Sequence, residues 1–206
     1  MKYTGAKLRL CRREGVNLFG SAKYSLKQGK RATPGQHGTS MARHSEYGKL
    51  LRNKQLLKRS YLMTEKQFSK IVKHTASKYA KNNNISHDVA VFQFLERRAD
   101  VMVLRSGLAQ TIMQARQMVV HGHFTLNGTK HNVPSTFLKS GDVLKLREGL
   151  KNSPLYGTAS KSSVRIPSWL KVDKNTYTIE VLSLPQKGEI ESQADLLKVI
   201  EFYARA

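Results

Sequence analysis

The 206-residue sequence predicts an α+β fold in which helices outnumber strands. Apolar side chains recur at helical spacing through residues 46–95 and again at 194–204, near the end of the chain. Between these stretches, Phe124 to Leu126 alternate apolar and polar side chains before an Asn-Gly pair, and a further strand pattern follows at 143–146, which is typical of a small antiparallel sheet. We therefore expect a mainly helical part and a smaller part with two helices and a sheet.

The first 45 residues have no sustained helical period and are rich in glycine, lysine and arginine. Arg9, Arg12 and Arg13 fit one short helical turn, and the sequence PGQHG at 34–38 predicts a compact turn. We expect a basic, extended arm that becomes ordered against a partner. A disordered tail is the alternative, although so compact a turn is unusual in a tail.

Helix caps predict where the helices of the first part begin. Ser45 is suited to cap a helix that runs to about Tyr61, and Thr64 with Gln67 forms the pattern of a capping box. The first of these helices carries a row of lysines and arginines, and Glu46 is its only acid. Because too few acids lie on the helix to form ion pairs with this row, we favour phosphate binding over a charged face that only contacts solvent.

Three further helices are predicted from caps at Ser86, Asp100 and Thr111. Thr111 and Gln114 repeat the capping-box pattern, and the apolar residues that follow fit a helix up to His121.

Strands are predicted at Phe124–Leu126, Val143–Leu146 and Tyr177–Leu182. The Asn127-Gly128 pair predicts a tight hairpin after the first of them. Residues 149–167 are rich in serine, glycine and lysine and contain two prolines, so they predict a linker.

The chain carries 36 lysines and arginines against 14 acids, a net charge of +22. Residues 1–82 hold 20 basic and 3 acidic side chains, whereas residues 166–206 hold 5 and 6. Such an excess repels itself, so we infer a polyanionic partner that meets mainly the first two thirds of the chain. A merely soluble basic protein is the alternative, which the uneven distribution disfavours.

Several classes of function lack support. Cys11 is the only cysteine, so neither an intrachain disulfide nor a cysteine-based zinc site is expected. The sequence has no G-x-x-x-x-G-K loop, no G-x-S-x-G motif and no carboxylate pair, so we expect neither an enzyme nor a cofactor. No apolar run approaches 18 residues, and the start lacks the apolar core of a signal peptide.

Cations and amides around the predicted hairpin favour RNA as the polyanion. The cations are Arg97, Arg98, Arg105, Arg116 and Lys130, and the amides are Gln114, Gln117 and Asn127. Aromatic side chains suited to base stacking are scarce there, so recognition of RNA shape and backbone is expected. His121 and His123 lack a third ligand that would make a metal site. For them, positioning at a phosphate or 2′-hydroxyl and purely structural capping both stay open.

A series of stretches along the chain resembles one known family. They are YTGAKLRLCRREGVNLF at the start, PGQHG at 34–38, SEYGKLLRNKQLLKR at 45–59, EKQF at 65–68, ARQMVVHGHFTLNGTKHNVPS at 115–135, SWLKVD at 168–173, LP at 184–185 and VIEFYAR at 199–205. Together they are similar to the fourth protein of the small ribosomal subunit, the S-four family, in its bacterial or organellar form without zinc. The order and spacing of the stretches make the resemblance specific, and it covers nearly the whole chain.

The resemblance implies how the domains are arranged. A basic N-terminal arm at 1–45 leads into a helical domain made of residues 46–95 and about 168–206. An RNA-binding domain at 96–148 is inserted into it, and residues 149–167 are the linker.

The resemblance also implies a structural role in the ribosome. Members bind the 5′ domain of small-subunit rRNA early in assembly and lie near the channel through which mRNA enters. There they neighbour the ribosomal proteins S-three and S-five and influence translational accuracy. The implied location is the cytoplasmic ribosome, with an organellar ribosome left open and no membrane partner.

Residues expected to contact rRNA follow from the resemblance in three regions. They are Arg9, Arg12, Arg13, Gln36, His37 and Arg43 in the arm, Tyr47, Lys49, Arg52, Lys54 and Arg59 in the first helix, and Arg105, Gln114, Arg116, Gln117, His121, His123, Asn127 and Lys130 in the inserted domain. The loop after Gly38 holds only Arg43 and His44 as basic residues, so a contact with mRNA there stays open.

Two other functions are alternatives to a ribosomal role. An RNA-modifying or RNA-quality-control protein can carry the same small domain, but it needs a separate catalytic domain, for which this chain has neither room nor motif. A protein of anionic membrane surfaces needs a basic amphipathic helix with an exposed apolar face, which residues 46–61 provide only weakly. Sedimentation with small ribosomal subunits would distinguish these functions.

Overall fold

In the computed structural model, the described residues are 3–26, 32–38, 45–159, 165–186, 188 and 194–205. They divide into two compact units, one formed by Met1–Val91 with Ser192–Ala206 and the other by Phe92–Glu191. The fold is α+β, as the sequence predicts. No helix within the described ranges is long and apolar enough to cross a membrane.

The first unit is helical. Its elements are α1 (Lys7–Glu14), a 3₁₀ turn (Ala22–Tyr24), α2 (Glu46–Ser60), α3 (Glu65–Lys70), a π-helical segment (Ile71–Ala76), α4 (Ser77–Asn83), the start of α5 (His87–Glu96) and α9 (Leu196–Arg205). Aromatic side chains pack α9 against the earlier helices. The ring centroids of Phe202 and Tyr47 are 5.6 Å apart, and those of Tyr203 and Phe68 are 6.0 Å apart.

Local capping explains where these helices begin. The Ser45 hydroxyl accepts a hydrogen bond from the Gly48 N–H at 3.2 Å, and Thr64 and Gln67 bond each other reciprocally at the start of α3. Each side chain satisfies a backbone N–H that the first turn of a helix leaves unpaired. The helix starts predicted at Ser45 and Thr64 are therefore confirmed.

The second unit combines helices with one antiparallel sheet. Its elements after α5 are α6 (Ala99–Arg105), α7 (Ile112–Val120), β1 (Phe124–Leu126), β2 (Thr129–His131), β3 (Val143–Leu146), a 3₁₀ turn (Glu148–Leu150), α8 (Pro154–Ala159), β4 (Leu170–Asp173) and β5 (Thr178–Val181). The strand order is β2-β1-β3-β5-β4. Phe124, Leu144 and Ile179 extend from the three central strands into the core and are fully buried there.

The hairpin between β1 and β2 forms as predicted. Asn127 and Gly128 have φ angles of 49° and 85°, the left-handed pair that a type I′ turn requires. The Asn127 side chain also accepts from the Val143 N–H at 2.9 Å and donates to Asp142 Oδ1 at 2.9 Å. It therefore ties the turn to the beginning of β3.

The compact units differ from the domain boundaries expected from the sequence. Strands β4 and β5 belong to the region assigned to the helical domain, yet β5 pairs with β3, so that Thr178 lies opposite Lys145. Trp169 is fully buried in the same core as Ile179. Pairing between strands so far apart in sequence leaves no local pattern, so periodicity does not predict it.

The stretch expected as a linker, 149–167, contains structure of its own. Helix α8 forms within it, and the Tyr156 side chain is fully buried in the core of the second unit. The Tyr156 hydroxyl lies 2.7 Å from His123 Nδ1. One aromatic anchor therefore orders part of a stretch whose composition is typical of a loop.

The cap predicted at Asp100 is wrong. Arg98 occupies the cap position of α6 and makes no side-chain capping hydrogen bond. Asp100 lies in the first turn and is fully buried, where Arg98 donates to both of its oxygens at 3.0 and 2.7 Å. The carboxylate is thus used for a buried ion pair.

Candidate nucleic-acid interface

The basic arm holds its expected contact residues around a glycine turn. Arg9 and Arg13 are exposed on α1, whereas Arg12 Nε donates to the Ala32 carbonyl at 2.9 Å. A Cβ on Gly38 would lie 1.9 Å from the Thr33 carbonyl oxygen, so only glycine fits there. This turn exposes the side chains at 36 and 37, the expected contacts Gln36 and His37. Arg43 lies outside the described residues.

Helix α2 places its cations in different surroundings. Tyr47 and Lys49 are exposed, and Lys49 pairs with Glu46 at 2.7 Å on the surface. Arg52 and Arg59 both pair with Glu14, whose side chain is only 2% exposed. The two arginines neutralise a buried carboxylate, and both arginine side chains are still partly exposed to solvent.

Lys54 requires a correction, since its side chain does not reach the surface. It is 5% exposed, donates to Glu65 Oε1 at 2.8 Å, and lies 4.6 Å from the centre of the Phe202 ring. A buried ammonium held by a carboxylate and an aromatic ring joins α2 to α3 and α9. We therefore leave Lys54 out of the interface.

Glu65 is the acid at the centre of that cluster. It also accepts from Lys58 at 2.8 Å and from the Tyr203 hydroxyl at 2.7 Å. Burial by itself would raise the pKa of Glu65. The hydrogen bonds from Lys54, Lys58 and Tyr203 outweigh burial and lower the pKa to about 2.

A network of ion pairs in the second unit involves two further expected contacts. Arg105 donates twice to the fully buried Glu96, both at 2.9 Å, and Arg116 donates to the fully buried Asp100 at 3.1 Å. The side chains of Arg105 and Arg116 are 28% and 20% exposed. Both arginines therefore pair with internal acids while their side chains stay partly exposed.

One group of exposed basic side chains in this unit lies where α7 ends and the hairpin begins. Gly122 has a φ of 66°, and a Cβ on it would lie 2.9 Å from Lys130 Cε, so the lysine stem passes directly over the glycine. The rings of His121 and His123 are 6.1 Å apart. Arg147, which is not among the contacts expected from the sequence, donates to the Gly122 carbonyl at 3.4 Å and is exposed.

The outer face of the sheet continues this group of cations. Thr125 lies opposite Lys130 on one side and opposite Lys145 on the other, so the two lysines flank it on the face away from the core. Lys145 is exposed, with Glu148 at 3.8 Å. We call the four side chains His121, Lys130, Lys145 and Arg147 the hairpin surface.

The two histidines have different roles. His121 is exposed, whereas His123 is half-buried beside Tyr156. Burial lowers the pKa of His123, and the neighbouring charges of His121 and Arg147 lower it further. Burial therefore favours the neutral form of His123, which contacts Tyr156 at the junction, while His121 is the exposed imidazole.

The amide side chains of α7 also differ in whether they are available for RNA. Gln117 is exposed on α7, but Gln114 is occupied, since its side chain accepts from the Gln110 N–H at 2.9 Å. Among the described residues, no three histidine, cysteine, aspartate or glutamate side chains are grouped so that they could hold a metal ion. The chemistry on this surface is that of hydrogen-bond donors and positive charge.

Comparison with known proteins identifies the family to which the chain is similar. Residues 2–96 match the family described as ribosomal protein S4/S9 N-terminal domain, and residues 97–144 match the S4 domain. The chain is 39% identical to small ribosomal subunit protein uS4A of Symbiobacterium thermophilum and 37% identical to protein uS4 of Rubrobacter xylanophilus and of Clostridioides difficile. Each alignment covers 99% of this chain and 99% of the relative.

The chain belongs to the uS4 family. The predicted resemblance is thereby confirmed, as is the expectation that the chain is not an enzyme, because the uS4 relatives are named as ribosomal proteins. The S4 domain match ends at residue 144, within β3, while the sheet continues through β5 and β4. In this member of the uS4 family, the compact unit is therefore larger than the matched domain.

Proposed function

We propose that this chain is a structural constituent of the small ribosomal subunit and binds small-subunit rRNA. Its uS4 relatives, which are named as small ribosomal subunit proteins, and the S4 domain match support this role. The hairpin surface is the observation that carries it. Three cations and an imidazole lie exposed around a glycine junction, with one exposed acid, Glu148, near Lys145.

The surface suits recognition of the RNA backbone. Lysine and arginine side chains donate to phosphate oxygens, and Gln117 adds an exposed amide next to them. Among the described residues of the second unit, no phenylalanine, tyrosine or tryptophan is exposed, so platforms for base stacking are absent there. The arrangement therefore favours folded RNA, recognised by its shape and its phosphates.

The finer role follows the family resemblance. The chain binds the 5′ domain of small-subunit rRNA early in assembly and lies near the channel through which mRNA enters. Ribosomal proteins S-three and S-five are its neighbours, and it influences translational accuracy in a cytoplasmic ribosome. The exposed Arg9, Arg13, Gln36 and His37 of the arm support an extended contact with the same RNA domain.

Binding to a transcript of the rRNA 5′ domain, measured across a range of salt concentrations, tests the proposal. We compare the full chain with the double variant Lys130→Gln/Arg147→Gln and with the control Lys171→Gln/Lys198→Gln, whose lysines are exposed elsewhere. Losing two phosphate contacts should make the log–log salt slope shallower by about 2 in the first variant only.

Sedimentation of native particles tests the ribosomal context. The proposal predicts that the chain travels with small subunits. A chain that binds the transcript but sediments away from ribosomes would instead be a non-ribosomal RNA-binding protein. A salt slope near zero for the unmodified chain would contradict RNA binding through these cations altogether.

A further inference from the structure

The helical stretch from α3 to α4 carries two straight rows of side chains that repeat every four residues. One row is buried and apolar, formed by Phe68, Val72, Ala76 and Ala80. The other is exposed and basic, formed by Lys66, Lys70, His74 and Lys78. We call the second row the lysine ridge.

The π-helical segment Ile71–Ala76 explains why both rows are straight. An α-helix has 3.6 residues per turn, so a four-residue repeat drifts by about 40° at each step and by about 120° from Lys66 to Lys78. A π-helix has wider turns with i→i+5 hydrogen bonds, which removes much of that drift. The widening is also seen in the Thr75 hydroxyl, which donates to the Lys70 carbonyl five residues back at 3.3 Å.

The wide turn therefore keeps the basic row opposite the core. In an uninterrupted α-helix, a row that starts opposite Phe68 would turn toward the buried side before it reached residue 78. π-Helical turns are rare and often occur at functional sites. The segment gives four basic side chains one common outward direction.

The ridge has no acid of its own among the described residues. Glu65 is the only acid between residues 65 and 83, and it is engaged by Lys54, Lys58 and Tyr203. No ion pair within the described ranges reaches Lys66, Lys70 or Lys78. Close, uncompensated positive charges repel one another, so a bound polyanion would relieve that repulsion.

We propose that the lysine ridge is an additional contact for the rRNA backbone. The inference rests on the proposed function and adds a binding surface formed by the first unit. From residue 66 to residue 78 the ridge is about 18 Å long, which suits a strand of consecutive phosphates and is more than a single small anion needs. Lysines act as point charges without the fixed geometry that base recognition uses, so the contact strengthens binding without reading sequence.

The triple variant Lys66→Gln/Lys70→Gln/Lys78→Gln tests the ridge in the full chain. Glutamine keeps the helix propensity of lysine and removes the charge, so the fold should persist. The salt slope for the 5′-domain transcript should become shallower by about 2 to 3, and binding at 0.1 M salt should weaken about 10- to 100-fold. The matched control Lys171→Gln/Lys174→Gln/Lys198→Gln removes the same charge from other exposed positions and should keep the original slope.

Acetylation of surface lysines, compared with and without the transcript, provides a second test on the unmodified chain. Lys66, Lys70 and Lys78 should be protected by RNA, and Lys171 and Lys198 should not. Equal slopes for the triple variant and its control, with no protection, would overturn the ridge as an RNA contact, and an acidic protein would then be the alternative partner. If the hairpin variant still weakens binding in that case, the proposed function stands. If the unmodified chain does not bind, both proposals fail.

Discussion

Three arginines of the second unit pair with buried acids, whereas the exposed cations of the lysine ridge pair with none among the described residues. Arg98, Arg105 and Arg116 meet the fully buried carboxylates of Glu96 and Asp100. The ridge lysines meet no acid among the described residues. A basic side chain is therefore evidence for RNA binding only when it does not form an ion pair with a buried acid of the same chain.

The largest effect is expected from breaking the buried pairs. Asp100→Ala leaves Arg98, which is 2% exposed, without its carboxylate, and should cost about 3–5 kcal/mol in the free energy of unfolding. Urea unfolding followed by Trp169 fluorescence measures this, because the only tryptophan of the chain is buried in the same unit. The control Glu148→Ala removes a carboxylate whose side chain is 79% exposed and should shift stability by much less. Equal effects of the two changes would show that burial of the pair does not matter.

A smaller and pH-dependent loss of stability is expected for Glu65→Gln. The folded-state pKa of Glu65 is lowered to about 2, against about 4.3 in an unfolded chain. A lowered pKa stabilises the fold above the unfolded value, and this contribution is lost as the pH falls through the folded value. At pH 7 we expect a cost of about 1–2 kcal/mol, since the carboxylate is partly exposed.

Unfolding midpoints of this variant and the unmodified chain, measured from pH 7 to pH 2, check the prediction. The difference between the two should hold down to about pH 4 and shrink toward pH 2. A difference that grows on acidification would mean that Glu65 does not carry its charge in the folded state.

Removing the hydroxyl beside His123 should have a further, moderate effect. Tyr156→Phe removes the 2.7 Å hydrogen bond to His123 Nδ1 but keeps the ring in the core, so it should cost about 1 kcal/mol in unfolding free energy. The salt slope for RNA should stay unchanged, because no charge is removed from the surface. Denaturation and RNA binding of the same preparation test both statements, and a shallower slope would make Tyr156 part of the interface.

The smallest effect on stability belongs to an exposed cation. Lys145→Gln should change the free energy of unfolding by no more than about 0.5 kcal/mol. The same change should make the salt slope shallower by about 0.9 if Lys145 meets one phosphate. A loss of stability larger than that of Tyr156→Phe would place Lys145 among the structural cations.

These contrasts show which features a single sequence reveals. The caps at Ser45 and Thr64 and the Asn127-Gly128 hairpin are predictable because each depends on residues within one turn of the chain. The roles of Lys54 and Arg105 are not, because their acids lie 11 and 9 residues away on other elements. Nothing local distinguishes a lysine that will be buried from one that will face RNA.

The same reason explains why two basic surfaces are not predictable from the sequence. Arg147 and Lys145 join the hairpin surface through strand pairing, and periodicity says nothing about which strands pair. The lysine ridge depends on a π-helical segment, whereas the expected helical spacing assumes 3.6 residues per turn throughout. The family resemblance implies an RNA-binding domain at 96–148, whereas the compact unit extends through β4 and β5.

The salt dependence of binding to the rRNA 5′ domain, measured for Lys54→Met and for Lys130→Gln/Arg147→Gln side by side, tests the distinction between internal and exposed cations most directly. We predict that Lys54→Met keeps the slope of the unmodified chain, because that ammonium is held by Glu65 inside the fold. The hairpin variant should lose about 2 from the slope. A shallower slope for Lys54→Met, with no change for the hairpin variant, would contradict the account.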